Sequence, residues 1–144
     1  MSQQKLVKVG IIGGGLMGRE LLALVGRWDA LLEHPVRPVI TAIADTSDAV
    51  REFFTNAGVT ESYSDYKELL ASANVDVVYI AVPHNLHEEI YIATINAGKD
   101  FLGEKPFGID LAAAEKIAAA LAGKSNFVRV SSELPFYPGA QAAV

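Results

Sequence analysis

Val9-Gly10-Ile11-Ile12-Gly13-Gly14-Gly15-Leu16-Met17-Gly18 decides the fold of this chain. Leu6 to Ile12 is a β-rich run that loses polar alternation once past Lys8, as a strand buried on both faces does. Beyond the glycines, Met17, Leu21, Leu24, Val25, Trp28, Leu31 and Leu32 recur at helical spacing and predict one long amphipathic helix, ended by His34-Pro35-Val36-Arg37-Pro38. The segment between strand and helix reads G-x-G-x-x-G with an extra glycine. Gly13 permits a tight turn, Gly15 keeps a Cβ away from an approaching pyrophosphate, and Gly18 lets helix pack closely on strand. With Gly14, Leu16 and Met17 completing the turn, an anion would sit at the helix N-terminus, where unpaired N–H groups and the helix dipole favour it. A bare glycine turn can be only a tight connection. Its placement here points to dinucleotide binding.

The rest of the chain repeats the strand-helix alternation. Val39 to Ala44 predicts a second strand, and Val50, Phe53, Phe54 and Ala57 the stripe of a short helix stopped by Gly58. A brief strand near Ser62 and Tyr63 precedes a helix on Tyr66, Leu69, Leu70 and Ala73. Val75 to Val82, the most β-branched run, predicts the fourth strand, closed by Pro83. Asn85 can cap a helix whose inner face is Leu86, Ile90, Ala93, Thr94 and Ala97, with Glu88 and Glu89 in its first turn. Asp100 to Gly103 forms a fifth strand, Leu111, Ala114, Ile117, Ala118 and Leu121 a last full helix, and Phe127 to Ser131 a sixth strand. This predicts a doubly wound parallel sheet, a three-layer α/β/α Rossmann fold, in the strand order 3-2-1-4-5-6. Ligand then belongs outside the carboxyl ends of the strands.

Composition narrows the function classes. The chain has 144 residues, of which 51% are hydrophobic and 20% charged, enough for one domain around a single core and unlike a disordered or coiled-coil chain. A net charge of -5 with scattered Lys and Arg gives no basic stripe for nucleic acid. Without cysteine there is no disulfide framework or thiolate. The N-terminal apolar run is broken by glycines from Gly13, unlike a signal peptide or spanning helix, so the cytoplasm is the expected compartment and no membrane partner is expected.

Candidate chemistry falls at the strand ends. Asp45 ends the second strand, where a carboxylate could accept hydrogen bonds from ribose hydroxyls, although Asp45 or Ser47 could instead cap the next helix. On the ribose reading the carboxylate repels a 2'-phosphate, which favours NAD over NADP; Arg51 is the nearby residue that could overturn this. Pro83-His84-Asn85-Leu86-His87 carries two histidines without an evident third metal ligand, so no metal is expected, and His87 reads as a first-turn surface residue. Glu104-Lys105-Pro106 ends the fifth strand. A lysine beside a substrate oxygen can carry the hydroxyl proton as hydride moves, while the plain alternative is a surface Lys-Glu pair.

Taken together, Gly-Ile-Ile-Gly-Gly-Gly-Leu-Met-Gly, Asp45, Pro83-x-Asn85-x-His87, Ala97-Gly98-Lys99 and Glu104-Lys105-Pro106 resemble the N-terminal cofactor domain of the glucose-fructose oxidoreductase / inositol dehydrogenase / rhizopine catabolism (Gfo/Idh/MocA) family over nearly the whole chain. The resemblance implies NAD(P)-dependent oxidation or reduction at a carbon of a sugar, cyclitol or related polyol. It puts Lys105 in the catalytic position and lines the nicotinamide side with Glu104, Pro83 and Asn85. Family members continue into a second α/β domain that forms the substrate floor and the oligomer interface and adds an Asp and a His. Residues 1–132 read as the cofactor domain, and 133–144 as the start of the crossing into that second domain. The full protein is then expected to be a homo-oligomer, and this fragment to bind dinucleotide with little or no turnover. Phe136 and Tyr137 would leave an apolar surface uncovered. Pro-Phe-Gly after Lys105 also resembles glucose-6-phosphate dehydrogenases, whose glycine turn differs. Two other functions stay open: a non-catalytic dinucleotide sensor, and an S-adenosylmethionine-dependent methyltransferase, which would leave Glu104-Lys105-Pro106 without a task.

Overall fold

A computed structural model describes residues 5–30, 35–132 and 138–142. The opening strand, β1 (Lys5–Ile12), is followed by α1 (Leu16–Gly26), β2 (Val36–Ala44), α2 (Asp48–Asn56), β3 (Glu61–Tyr63), α3 (Tyr66–Ala71) and β4 (Val77–Ile80). Then come α4 (His87–Asn96), β5 (Asp100–Glu104), α5 (Leu111–Leu121), β6 (Val128–Ser131) and the short α6 (Pro138–Gln141). The strands form one six-stranded sheet, β3-β2-β1-β4-β5-β6. Every pairing is parallel, so all carboxyl ends share one edge. Strand order reverses between β1 and β4, which opens the crevice there.

Alternate residues of each strand feed the two sides of the sheet. Ile12, Ala42, Ala44, Val78, Ile80 and Phe101 pack with Leu69, Tyr91, Ile95 and Ile117 of α3, α4 and α5. Ile11, Ile43 and Tyr79 pack with Leu21, Val25, Val50 and Phe54 of α1 and α2. This period of two in the strands, covered on both sides, is what an apolar run without alternation encodes.

Several sequence expectations need correction. The first helix stops at Gly26 and yields to a 3-10 turn at Trp28–Ala30, where the Trp28 indole N–H donates to Val36 O (2.9 Å) and turns the chain toward β2. Leu31, Leu32 and His34 lie outside the described residues, as does the crossing segment Glu133 to Tyr137. β2 begins at Val36, not Val39, with Pro38 paired to Val7 inside it. Asn85 caps nothing: a 3-10 turn at His84–Leu86 leads into α4, whose N-cap is Leu86 without a side-chain bond. On α5 the buried residues are Ala113 and Ile117, whereas Leu111 and Ala118 are exposed. Phe53 and Ala97 are exposed too.

Candidate functional site

The glycine turn owes its shape to lost Cβ atoms. Gly13 has φ +91°, and a Cβ there would sit 2.4 Å from the Ala81 carbonyl oxygen. One at Gly18 would lie 2.4 Å from Gly13 O, so α1 could not approach the turn. Gly15, the N-cap of α1, differs: a Cβ there would meet nothing within 4 Å. That open side borders a cavity of about 690 Å3 lined by Gly13, Gly15, Asp45, Thr46, Val82 and Pro83, among others. Its size and open backbone fit one part of a dinucleotide.

Asp45 serves the turn and the cavity at once. Its carboxylate accepts from the Gly14 N–H (2.8 Å) and the Ser47 N–H (2.9 Å), tying the end of β2 to the glycine turn. Ser47 caps α2 by accepting from the Val50 N–H. The capping alternative is therefore realised by Ser47, and Asp45 still lines the cavity. Arg51 donates to Asp45 O (2.6 Å) and to the Asp48 carboxylate, and the ion pair with Asp48 offsets the charge a 2'-phosphate would need.

A second cavity of about 290 Å3, bordered by Met17, His84, Glu104, Lys105 and Ser131, shares Ala81 and Val82 with the first. One crevice thus runs across the carboxyl ends from Asp45 to Lys105. Glu104 is 9% exposed, not one half of a surface pair, and among the described residues no ion pair joins it to Lys105. The Tyr79 hydroxyl donates to Glu104 Oε1 and the Tyr91 hydroxyl to Glu104 O, both at 2.6 Å. Burial, reinforced by the Glu104 charge, pushes both phenols well above the ordinary tyrosine range. Lys105 is exposed at the rim. Asn85 borders Glu88, Glu89 and Ile92 and lines neither cavity. His87, expected at the surface, is fully buried and stacked on Tyr91, with ring centroids 4.8 Å apart.

Tyr79 and Tyr91 escaped the sequence reading, which named His87 in its motif but gave it no chemical role. One signal was available. Gly103 interrupts β5, and an isolated strand glycine marks a close approach. A Cβ there would lie 2.4 Å from the Tyr91 hydroxyl, which needs that passage to reach Glu104 O.

A model of an oxidoreductase family, its NAD-binding Rossmann fold, matches residues 7–132. The chain belongs to the Gfo/Idh/MocA family. Its relatives include D-xylose 1-dehydrogenase (NADP(+)) of Hypocrea jecorina, 34% identical over an alignment of 108 residues that covers 72% of this chain and 28% of that enzyme. Among solved structures, an NAD binding oxidoreductase from Klebsiella pneumoniae superposes with a TM-score of 0.85 at 31% identity, covering 95% of this chain and 37% of that one. A levoglucosan dehydrogenase in complex with NADH gives 0.81 at 28% identity, covering 92% and 36%. The chain thus spans roughly a third of the length of these Gfo/Idh/MocA proteins. Among the described residues there is no cluster that could hold a metal ion and no helix long and apolar enough to cross a membrane.

Proposed function

We propose that this chain is the cofactor domain of an NAD-dependent dehydrogenase that interconverts a secondary alcohol and a ketone on a sugar, cyclitol or related polyol. The observation that carries the reading is the position of Lys105, an exposed cation on the rim of the crevice that the glycine turn opens, beside buried Glu104. Xylose and levoglucosan dehydrogenases among the relatives support the substrate class.

Gly13 to Gly18 would hold the pyrophosphate against the start of α1, and Asp45 would accept from the adenosine ribose hydroxyls. Pro83 and Glu104 would flank the nicotinamide. Nicotinamide supplies or accepts the hydride when bound. Lys105 would hold the substrate oxygen and carry its proton, giving it to the alkoxide in one direction and removing it from the alcohol in the other. Asn85, outside both cavities, keeps a part only if the 3-10 turn rearranges.

The cofactor domain ends near residue 132, and a second domain supplies the substrate floor and the contacts of a homo-oligomer. The protein works in the cytoplasm and binds no nucleic acid, as its charge of -5 without a basic stripe suggests. Calorimetric titration of this chain with NADH, NADPH and S-adenosylmethionine tests the cofactor reading. NADH is expected to bind most tightly; preference for NADPH would shift the role of Asp45 to Arg51. In the longer protein, Lys105→Met is expected to abolish turnover while leaving NADH affinity intact; undiminished turnover would remove Lys105 from the chemistry, and no turnover in the unaltered protein would leave a dinucleotide sensor.

A further inference from the structure

The geometry points to His87 as the residue that positions Lys105, an inference that rests on the reading of Lys105 as the proton-transfer group. His87 opens α4 and is fully buried. Its Nδ1 lies 2.7 Å from Pro106 O and its Nε2 3.1 Å from Val82 O. Both partners are carbonyl oxygens, which only accept, so a neutral ring can donate to one of them. The shorter contact assigns the proton to Nδ1 and makes Nδ1–H···O=C of Pro106 the bond that holds.

Lys105 is exposed, so its own side chain does little to fix where its ammonium goes. Its neighbours do that. Tyr91, one turn beyond His87 on the same helix and stacked on its ring, donates to Glu104 O at 2.6 Å. The main-chain carbonyls immediately before and after Lys105 are thus each grasped by a side chain of α4. A histidine that merely filled the core would have no need to reach this loop.

Three variants separate the two nitrogens. In His87→Asn the amide nitrogen takes the place of Nδ1, in His87→Gln that of Nε2, and His87→Leu keeps bulk alone. Backbone order parameters of the labelled chain with NADH are the first readout. Wild type and His87→Asn are expected to keep Lys105 and Phe107 near about 0.85, while Gln and Leu let them fall toward roughly 0.6 and leave Gly13 to Gly18 unchanged. In the longer protein, the Gln and Leu variants should lower kcat about tenfold or more with KM for cofactor unchanged, and Asn should restore it. Equal order at Lys105 in the Gln and wild-type chains overturns the proposal. So does a wild-type ring nitrogen spectrum with the proton on Nε2 alone, which decides the matter even if every variant fails to fold. Full turnover in Lys105→Met would instead remove the proton-transfer reading and leave the order-parameter contrast standing.

Discussion

The two ends of the crevice are built in different ways. At the Asp45 end, the contacts run between the βα turn and the residues just after β2, and the atoms involved are mostly main-chain: Gly14 N–H and Ser47 N–H on one carboxylate. At the Lys105 end, the strand terminus is held by side chains from β4 and α4, Tyr79, Tyr91 and His87. The first end depends on where side chains are missing, the second on where buried polar side chains find each other.

The comparison breaks most sharply at Gly13. Gly13→Ala adds backbone strain of roughly 1–2 kcal/mol to a clash with a main-chain oxygen that cannot swing away, for a total of about 3 kcal/mol or more. The urea midpoint should fall accordingly, and NADH binding should disappear. Gly98→Ala is the control: φ is +72° with open space around the missing Cβ, so about 1 kcal/mol is expected. Equal losses at the two positions would show that the close approach to Ala81 contributes nothing.

At the other end, Tyr79→Phe leaves a buried carboxylate oxygen without its donor, at a cost of about 2 kcal/mol in thermal or urea unfolding. Gly103→Ala should produce a loss of similar size by a different route, displacing the Tyr91 hydroxyl from Glu104 O. If the ends are independent, neither change alters the affinity for adenosine nucleotides. Asp45→Ala sharpens the contrast from the opposite side. It should weaken NADH binding about tenfold, the loss of roughly 1.5 kcal/mol in charge-assisted hydrogen bonds, and narrow the preference over NADPH, while leaving the order of Lys105 unchanged.

The smallest effect is that of alkaline pH. Tyr66 lines the larger cavity and donates to Glu89 at 2.7 Å; burial and that carboxylate push its phenol up to about 12 from 10.0. The neutral phenol is the form the fold favours, so the contribution is fully present below pH 10 and is lost as pH rises through about 12. Phenolate absorbance of the folded chain should therefore lag that of the urea-unfolded chain as pH rises. Tyr79 and Tyr91, raised by deeper burial, should ionise only with unfolding.

Much of this molecule was legible before any coordinates. Apolar runs without alternation, separated by amphipathic segments, determined a parallel sheet covered on both sides, because only a strand buried on both faces tolerates such composition. The glycine turn announced itself because only glycine takes a positive φ with a carbonyl at Cβ distance without strain, as at Gly13. The first helix was overextended because Trp28 continues its apolar stripe, yet that indole is spent on a bond to β2. Tertiary structure alone decided what Glu104 and His87 are. Apart from Val82, five residues before His87, their partners lie far along the chain, in β4, on α4 and after β5, and nothing in a local pattern distinguishes a histidine facing water from a buried one whose ring nitrogens meet two carbonyl oxygens. Sequence specifies a backbone conformation through sterics at one residue, whereas a buried hydrogen bond exists only once packing has brought both partners together and excluded water from them.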